Sequence, residues 1–194
     1  MSDSVDDAAT AVRTGHAVVY PTETVYGLGA DATDPDAVEH VFDLKGRSRE
    51  NPLSLAIPSV DAALDYTRPT DVAEQFMRRF LPGPVTVVVA RRPALPDALT
   101  AGRDRVGVRV PAHETALDLL DRTPPLTATS ANRSGSSSVT RVAALDDRLR
   151  EGVAAVVDGG VTPGTESTVV DPAEGVIHRR GAMADDIEAW LETQ

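Results

Sequence analysis

The sequence predicts an α/β protein: a single domain, residues 1–194, built on a twisted mixed parallel and antiparallel sheet flanked by helices. Three observations predict this class. Short β-branched runs alternate with stretches of helical period. A chain of 194 residues, 41% of them hydrophobic, is long enough to bury one substantial core and too short for a second full domain. Near the C-terminus two apolar runs are separated only by PAEG, the spacing of an antiparallel hairpin within an otherwise alternating pattern.

In order, a helix over 4–14 precedes the strand HAVVY (16–20). The helix over 35–45 has Asp34 as N-cap, Pro35 in its first turn and Gly46 just past its end, each the residue type its position favours. LSLAI (53–57) reads as a strand and 59–66 and 70–80 as helices. VTVVVA (85–90) and VGVRV (106–110) read as strands either side of an irregular stretch, 91–105. A helix over 113–122 leads to the strand LTATS (126–130), then to a loop rich in Ser and Gly (131–140) and a helix over 140–150. VAAVV (153–157), STVVD (167–171) and VIHR (176–179) complete the strands, and a helix over 184–193 follows them.

Composition narrows the function classes. The chain has no cysteine, which excludes thiol nucleophiles, thiolate metal sites and disulfides. The net charge of −11 describes an acidic surface of the kind that stays soluble in concentrated salt, and it opposes broad non-specific binding to nucleic acid. At molar salt the screening length falls to about 3 Å, so a local cation cluster outweighs the total charge. The N-terminus MSDSVDD is acidic and no apolar run approaches the roughly 20 residues of a membrane span, so a cytoplasmic protein without signal peptide is expected. The histidines, His16, His40, His113 and His178, show no metal-ligand spacing; His113 is expected to begin a helix.

Polar clusters gather at strand ends, where open α/β sheets bind ligands. PTETVYGLGAD (21–31) follows HAVVY as a loop: its glycines permit close backbone approach and its threonines offer hydroxyls, a pattern that suits a plain turn as well as a ligand loop. Lys45 is the only lysine among 19 basic residues and opens KGRSRENP (45–52), a cation cluster with Arg47 and Arg49. Arg109 lies inside an apolar strand and requires a partner, either a structural or a ligand carboxylate. Ser130, Asn132 and Ser134 follow LTATS; Ser167 and Thr168 open STVVD; Arg179 and Arg180 end its hairpin partner. Convergence on one pocket is expected.

These motifs, with PGPVTVV (82–88), VGVRVPAH, TSANRSG and RRG, stand in the order found in the YrdC-like family of L-threonylcarbamoyladenylate synthases, which the chain resembles from about residue 10 to residue 182 in its short, single-domain form. The resemblance implies the YrdC-like fold and an enzyme that makes threonylcarbamoyl-AMP and pyrophosphate from L-threonine, bicarbonate and ATP. Magnesium would arrive with ATP, and the product would be handed to a tRNA threonylcarbamoyl-transferase complex. It further implies ATP contacts from Lys45, Arg47, Asn51, Ser130, Asn132 and Arg179, threonine contacts from Thr22, Arg109 and Ser167, and a catalytic set of Lys45, Arg47 and Ser167. Glu23 is the nearest candidate base. Ser48, Ala56 and Arg180 depart from residues common at these positions in the family. An RNA-binding module, or a transferase of the same fold acting on another amine, are the alternatives.

Overall fold

The structure, a computed structural model, describes residues 3–194. The chain runs through α1 (Val5–Arg13), β1 (Val18–Tyr20), β2 (Gly27–Gly29), α2 (Pro35–Lys45), β3 (Ser54–Ala56), α3 (Val60–Ala63), β4 (Thr67–Arg68) and α4 (Asp71–Phe80). It continues through β5 (Val85–Arg91), α5 (Asp97–Thr100), β6 (Arg105–Arg109), α6 (Glu114–Asp121), β7 (Leu126–Ser130), α7 (Asp147–Gly152), β8 (Ala155–Val156), β9 (Thr168–Asp171), β10 (Val176–Arg179) and α8 (Ala184–Leu191).

Among the described residues one sheet runs in the order β10-β9-β5-β6-β3-β7-β2-β1-β8, with β4 pairing the end of β5 on the edge that β9 occupies. Parallel pairs (β1 with β8, β3 with β6, β5 with β9) sit beside antiparallel ones, including the β9–β10 hairpin, so the expected mixed sheet is present. Helix ends follow their caps. Ser4 and Asp7 form a reciprocal capping box on α1; Asp34 caps α2, which Gly46 terminates in the left-handed region at φ 59°. His113 is the N-cap of α6, as its expected position requires.

Four stretches differ from the sequence expectation. Residues 21–31 are not all loop: Gly27–Gly29 is a buried strand between β1 and β7. Its glycines hide it from strand propensity, and they are required because a Cβ at Gly29 would stand 2.9 Å from the Tyr20 ring. The stretch 91–105 contains the end of β5, the short α5 and the start of β6, and the helix expected over 59–66 ends at Ala63, ahead of β4. The helix expected over 140–150 is a 3-10 turn at Val142–Ala144, an extended Leu145, and α7, whose N-cap Asp146 accepts from the Arg148 amide; a good cap inside the periodic run divides it.

Strand alternation positions the site. Val85, Val87 and Val89 of β5 and Val106 and Val108 of β6 point into the larger core, with Val41 and Phe42 of α2, Phe76 and Met77 of α4, and Ile187 of α8. On the opposite face α1 and α6 pack through Val12, Leu119 and Leu120 against Val18 and Tyr20 of β1, Leu126 of β7 and Ala155 of β8. That second layer covers one end of the sheet. The face beneath β5, β6 and β9 carries Thr86, Val88, Gly107, Arg109 and Val169 and forms the floor of a cavity.

Candidate active site

The cavity has a volume of about 860 Å³, room for a nucleotide together with a small second ligand. Gly107 keeps its floor flat: a Cβ there would come within 2.7 Å of Ser54 Oγ and 2.8 Å of the Thr86 methyl. Thr22, Arg47, Arg109, Ser130, Ser167 and Arg179 all line it. The structure thus brings together residues as distant in sequence as Thr22 and Arg179. Lys45 and Asn132 lie behind this lining, and Asn51 is exposed, its carbonyl accepting from Arg47 Nε at 2.9 Å and its backbone amide donating to the Ser48 carbonyl at 3.0 Å.

At one end stands Arg109, 8% exposed. Its Nη2 donates to Glu23 Oε1 at 2.8 Å, so the partner demanded by a guanidinium in an apolar strand is a structural carboxylate. No other guanidinium nitrogen of Arg109 is hydrogen-bonded among the described residues, and the second oxygen of Glu23 is buried without a partner. The Thr22 hydroxyl donates to the Val25 carbonyl at 2.6 Å and contacts Thr24 Oγ1 at 2.9 Å, which fixes the turn that carries Glu23. Burial pushes the Tyr20 phenol beside this pair up to about 12, with Arg109 opposing and Glu23 adding to the shift.

At the other end the cations gather. Lys45, 2% exposed, closes α2 and donates from Nζ to the Ser130 carbonyl at 2.5 Å and the Asn132 carbonyl at 2.7 Å. It ties that helix to the corner after β7. Burial, helped by the positive Arg47, lowers its ammonium to about 8. The side-chain amide of Asn132 donates to the Arg133 and Ser136 carbonyls, holding the corner, while its Oδ1 is buried and unpartnered. Arg47 hydrogen-bonds only carbonyls, of Asn51 and Pro52, and has no ion pair among the described residues; burial and nearby Arg179 lower its pKa. Arg179 donates from Nε and Nη2 to the Ser167 carbonyl and from Nη2 to Ser167 Oγ at 3.0 Å; Ser167 Oγ also meets Thr86 Oγ1 at 3.0 Å.

Sequence reasoning missed Thr86 and Glu166. The first is the lone hydroxyl in a valine run, at a register that alternation turns away from the core. The second precedes Ser167 and pairs with Arg179. Among the described residues no group of three or more His, Asp or Glu is placed to hold a metal ion, and no helix is long and apolar enough to cross a membrane.

The sequence pattern of the Sua5/YciO/YrdC family, described as "Telomere recombination", matches residues 10–181. Threonylcarbamoyl-AMP synthase of Pyrococcus abyssi is 42% identical over 170 residues, 86% of this chain and 50% of that protein. The protein of the same name from Bacillus subtilis is 38% identical over 194 residues, 96% of this chain and 56% of that one. The chain therefore spans about half the length of these two relatives. The P. abyssi Sua5 structure complexed with L-threonine superposes with a TM-score of 0.84 at 40% identity, covering 91% of this chain and 54% of that one. Escherichia coli YciO does so with a TM-score of 0.84 at 27% identity, covering 92% and 89%. Architecture, motif order and these similarities agree: the chain belongs to the Sua5/YciO/YrdC family.

Proposed function

We propose that this chain is a threonylcarbamoyl-AMP synthase serving tRNA N6-threonylcarbamoyladenosine formation in the cytoplasm. The observation that carries the reading is a single cavity with two unlike ends, one presenting the Glu23–Arg109 pair and the other Arg47 and Arg179 with Lys45 behind them. The names of the P. abyssi and B. subtilis relatives, and the L-threonine in a P. abyssi Sua5 complex, support it.

In this reading the threonine carboxylate takes the guanidinium nitrogens of Arg109 that Glu23 leaves unused, and Glu23 acts by holding that guanidinium rather than as a base. The amine and bicarbonate condense to a carbamate and water. A carbamate oxygen then attacks the α-phosphorus of ATP; the new O–P bond forms as the bond to the β-phosphate bridge breaks, and pyrophosphate leaves. Arg47 and Arg179 receive the phosphates, each charge-assisted contact contributing about 1.5–3 kcal/mol. Lys45 supplies positive charge through the Ser130–Asn132 corner it holds, Ser167 stands beside the reacting phosphate, and Ser130, backed by Asn132, forms the wall against the nucleotide. Among the described residues no acidic cage is built for a metal, and magnesium enters with the triphosphate it neutralises. Positioning and charge neutralisation suffice for such a transfer without a dedicated base. The adenylate then passes to a separate transferase complex acting on tRNA.

The test is pyrophosphate release from the purified chain with threonine, bicarbonate and ATP, each omitted in turn. Release that requires all three is expected; release indifferent to threonine would reject the amino-acid assignment.

A further inference from the structure

Glu166 has no part in the reaction just described, yet it sits at the cation end of the cavity and lines it with Arg179. Its Oε2 is 3.1 Å from Arg179 Nη1, and its Oε1 accepts from the Ser138 hydroxyl at 2.7 Å. Arg179 does not depend on this contact for its aim. Its Nε and Nη2 are already held by the Ser167 carbonyl, at 3.1 and 2.9 Å, leaving Nη1 alone to Glu166. The pair is also half exposed, 47% and 45% by side chain, the kind of ion pair that water weakens most and a better anion can replace. Nearby Arg47 has no acid partner among the described residues. An arriving anion therefore meets two cations, one free and one occupied.

We propose that Glu166 is a resident competitor for Arg179 and weakens the hold of this end on phosphate chains that span both guanidiniums. An anion engages Arg179 Nη1 only by displacing one carboxylate. A single phosphate gains little from that exchange, because it gives up nothing by resting on Arg47 alone. A polyphosphate spans both guanidiniums and wins the exchange. Glu166 thus lowers the affinity of this end for di- and triphosphate chains more than for a monophosphate, and eases the release of a polyphosphate product. The inference rests on placing the phosphates at this end of the cavity.

The test is calorimetric titration of the full chain with orthophosphate and with inorganic pyrophosphate, for wild type, Glu166→Gln, Arg179→Gln and the double variant. Glu166→Gln removes the charge and keeps an oxygen for Ser138. The expected result is an increase in pyrophosphate affinity of about tenfold and in orthophosphate affinity of no more than about threefold, both lost when Arg179 is also replaced. Equal gains for the two anions, no gain, or gains that persist with Arg179→Gln would overturn the proposal, the last by showing a general field effect. If neither wild type nor Glu166→Gln binds either anion, the phosphate assignment fails as well. Threonine-dependent turnover of ATP with an unaltered anion preference in Glu166→Gln would overturn this inference alone.

Discussion

Lys45 is held between two demands. Its Nζ fastens the Ser130 and Asn132 carbonyls while burial lowers its ammonium to about 8. The folded pKa lies below the unfolded value, so between about pH 8 and the ordinary lysine pKa the unfolded chain keeps a proton the folded chain has released. Lys45 therefore makes the protein more stable as pH rises across that window, its penalty being fully present below about pH 8; urea unfolding should show this slope in wild type and lose it in Lys45→Met. The same variant is expected to lower kcat/KM for ATP by about 100-fold, measured by pyrophosphate release. Arg109 and Glu23, 10% and 14% exposed by side chain, are a nearly buried pair. Arg109→Met should cost about 3–5 kcal/mol in urea unfolding, with much of it recovered by adding Glu23→Gln, since the loss comes from stranding a charge. The sequence shows that Arg109 needs a partner. It cannot show which, because Glu23 is 86 residues away and the pairing exists only once β6 lies beside the turn after β1.

At the scale of elements, propensity failed where glycine replaces side chains and succeeded where caps speak. The α2 boundaries follow from Asp34, Pro35 and Gly46. Strand β2 was invisible because two of its three residues are glycines and only Leu28 has a side chain to bury; the space beside Gly27 and Gly29 is occupied by the Tyr20 ring. Gly29→Ala must push that ring aside and should cost about 1–3 kcal/mol in thermal or urea unfolding. Because Tyr20 also lines the cavity, the same change should raise KM for the amino acid. The opposite error, one helix expected over 140–150, arose because helical period survives a break that Asp146 makes by capping α7 afresh.

For the whole molecule, the 30 acidic residues outnumber the 19 basic ones, and most of the ion pairs are on the surface, where each contributes only about 0–1 kcal/mol. Self-repulsion therefore outweighs them. Raising KCl from dilute to molar concentration should stabilise the fold by about 2 kcal/mol, read as a rise of about 4–8 °C in the melting midpoint; a fall would show the surface pairs to be stronger than this. The mixed sheet and the convergence of polar motifs at strand ends were legible from alternation and spacing. One shared pocket was expected too, but its shape was not legible, because it is set by where the second helical layer stops short of β5, β6 and β9. That incomplete layer has an evolutionary consequence. Along β5 the residues that keep the protein folded, Val85, Val87 and Val89, alternate with Thr86 and Val88, which line the cavity. A library varied at Thr86 and Val88 would sample new substrate preferences while every valine of the interior stays in place, so this scaffold can change its chemistry without renegotiating its architecture.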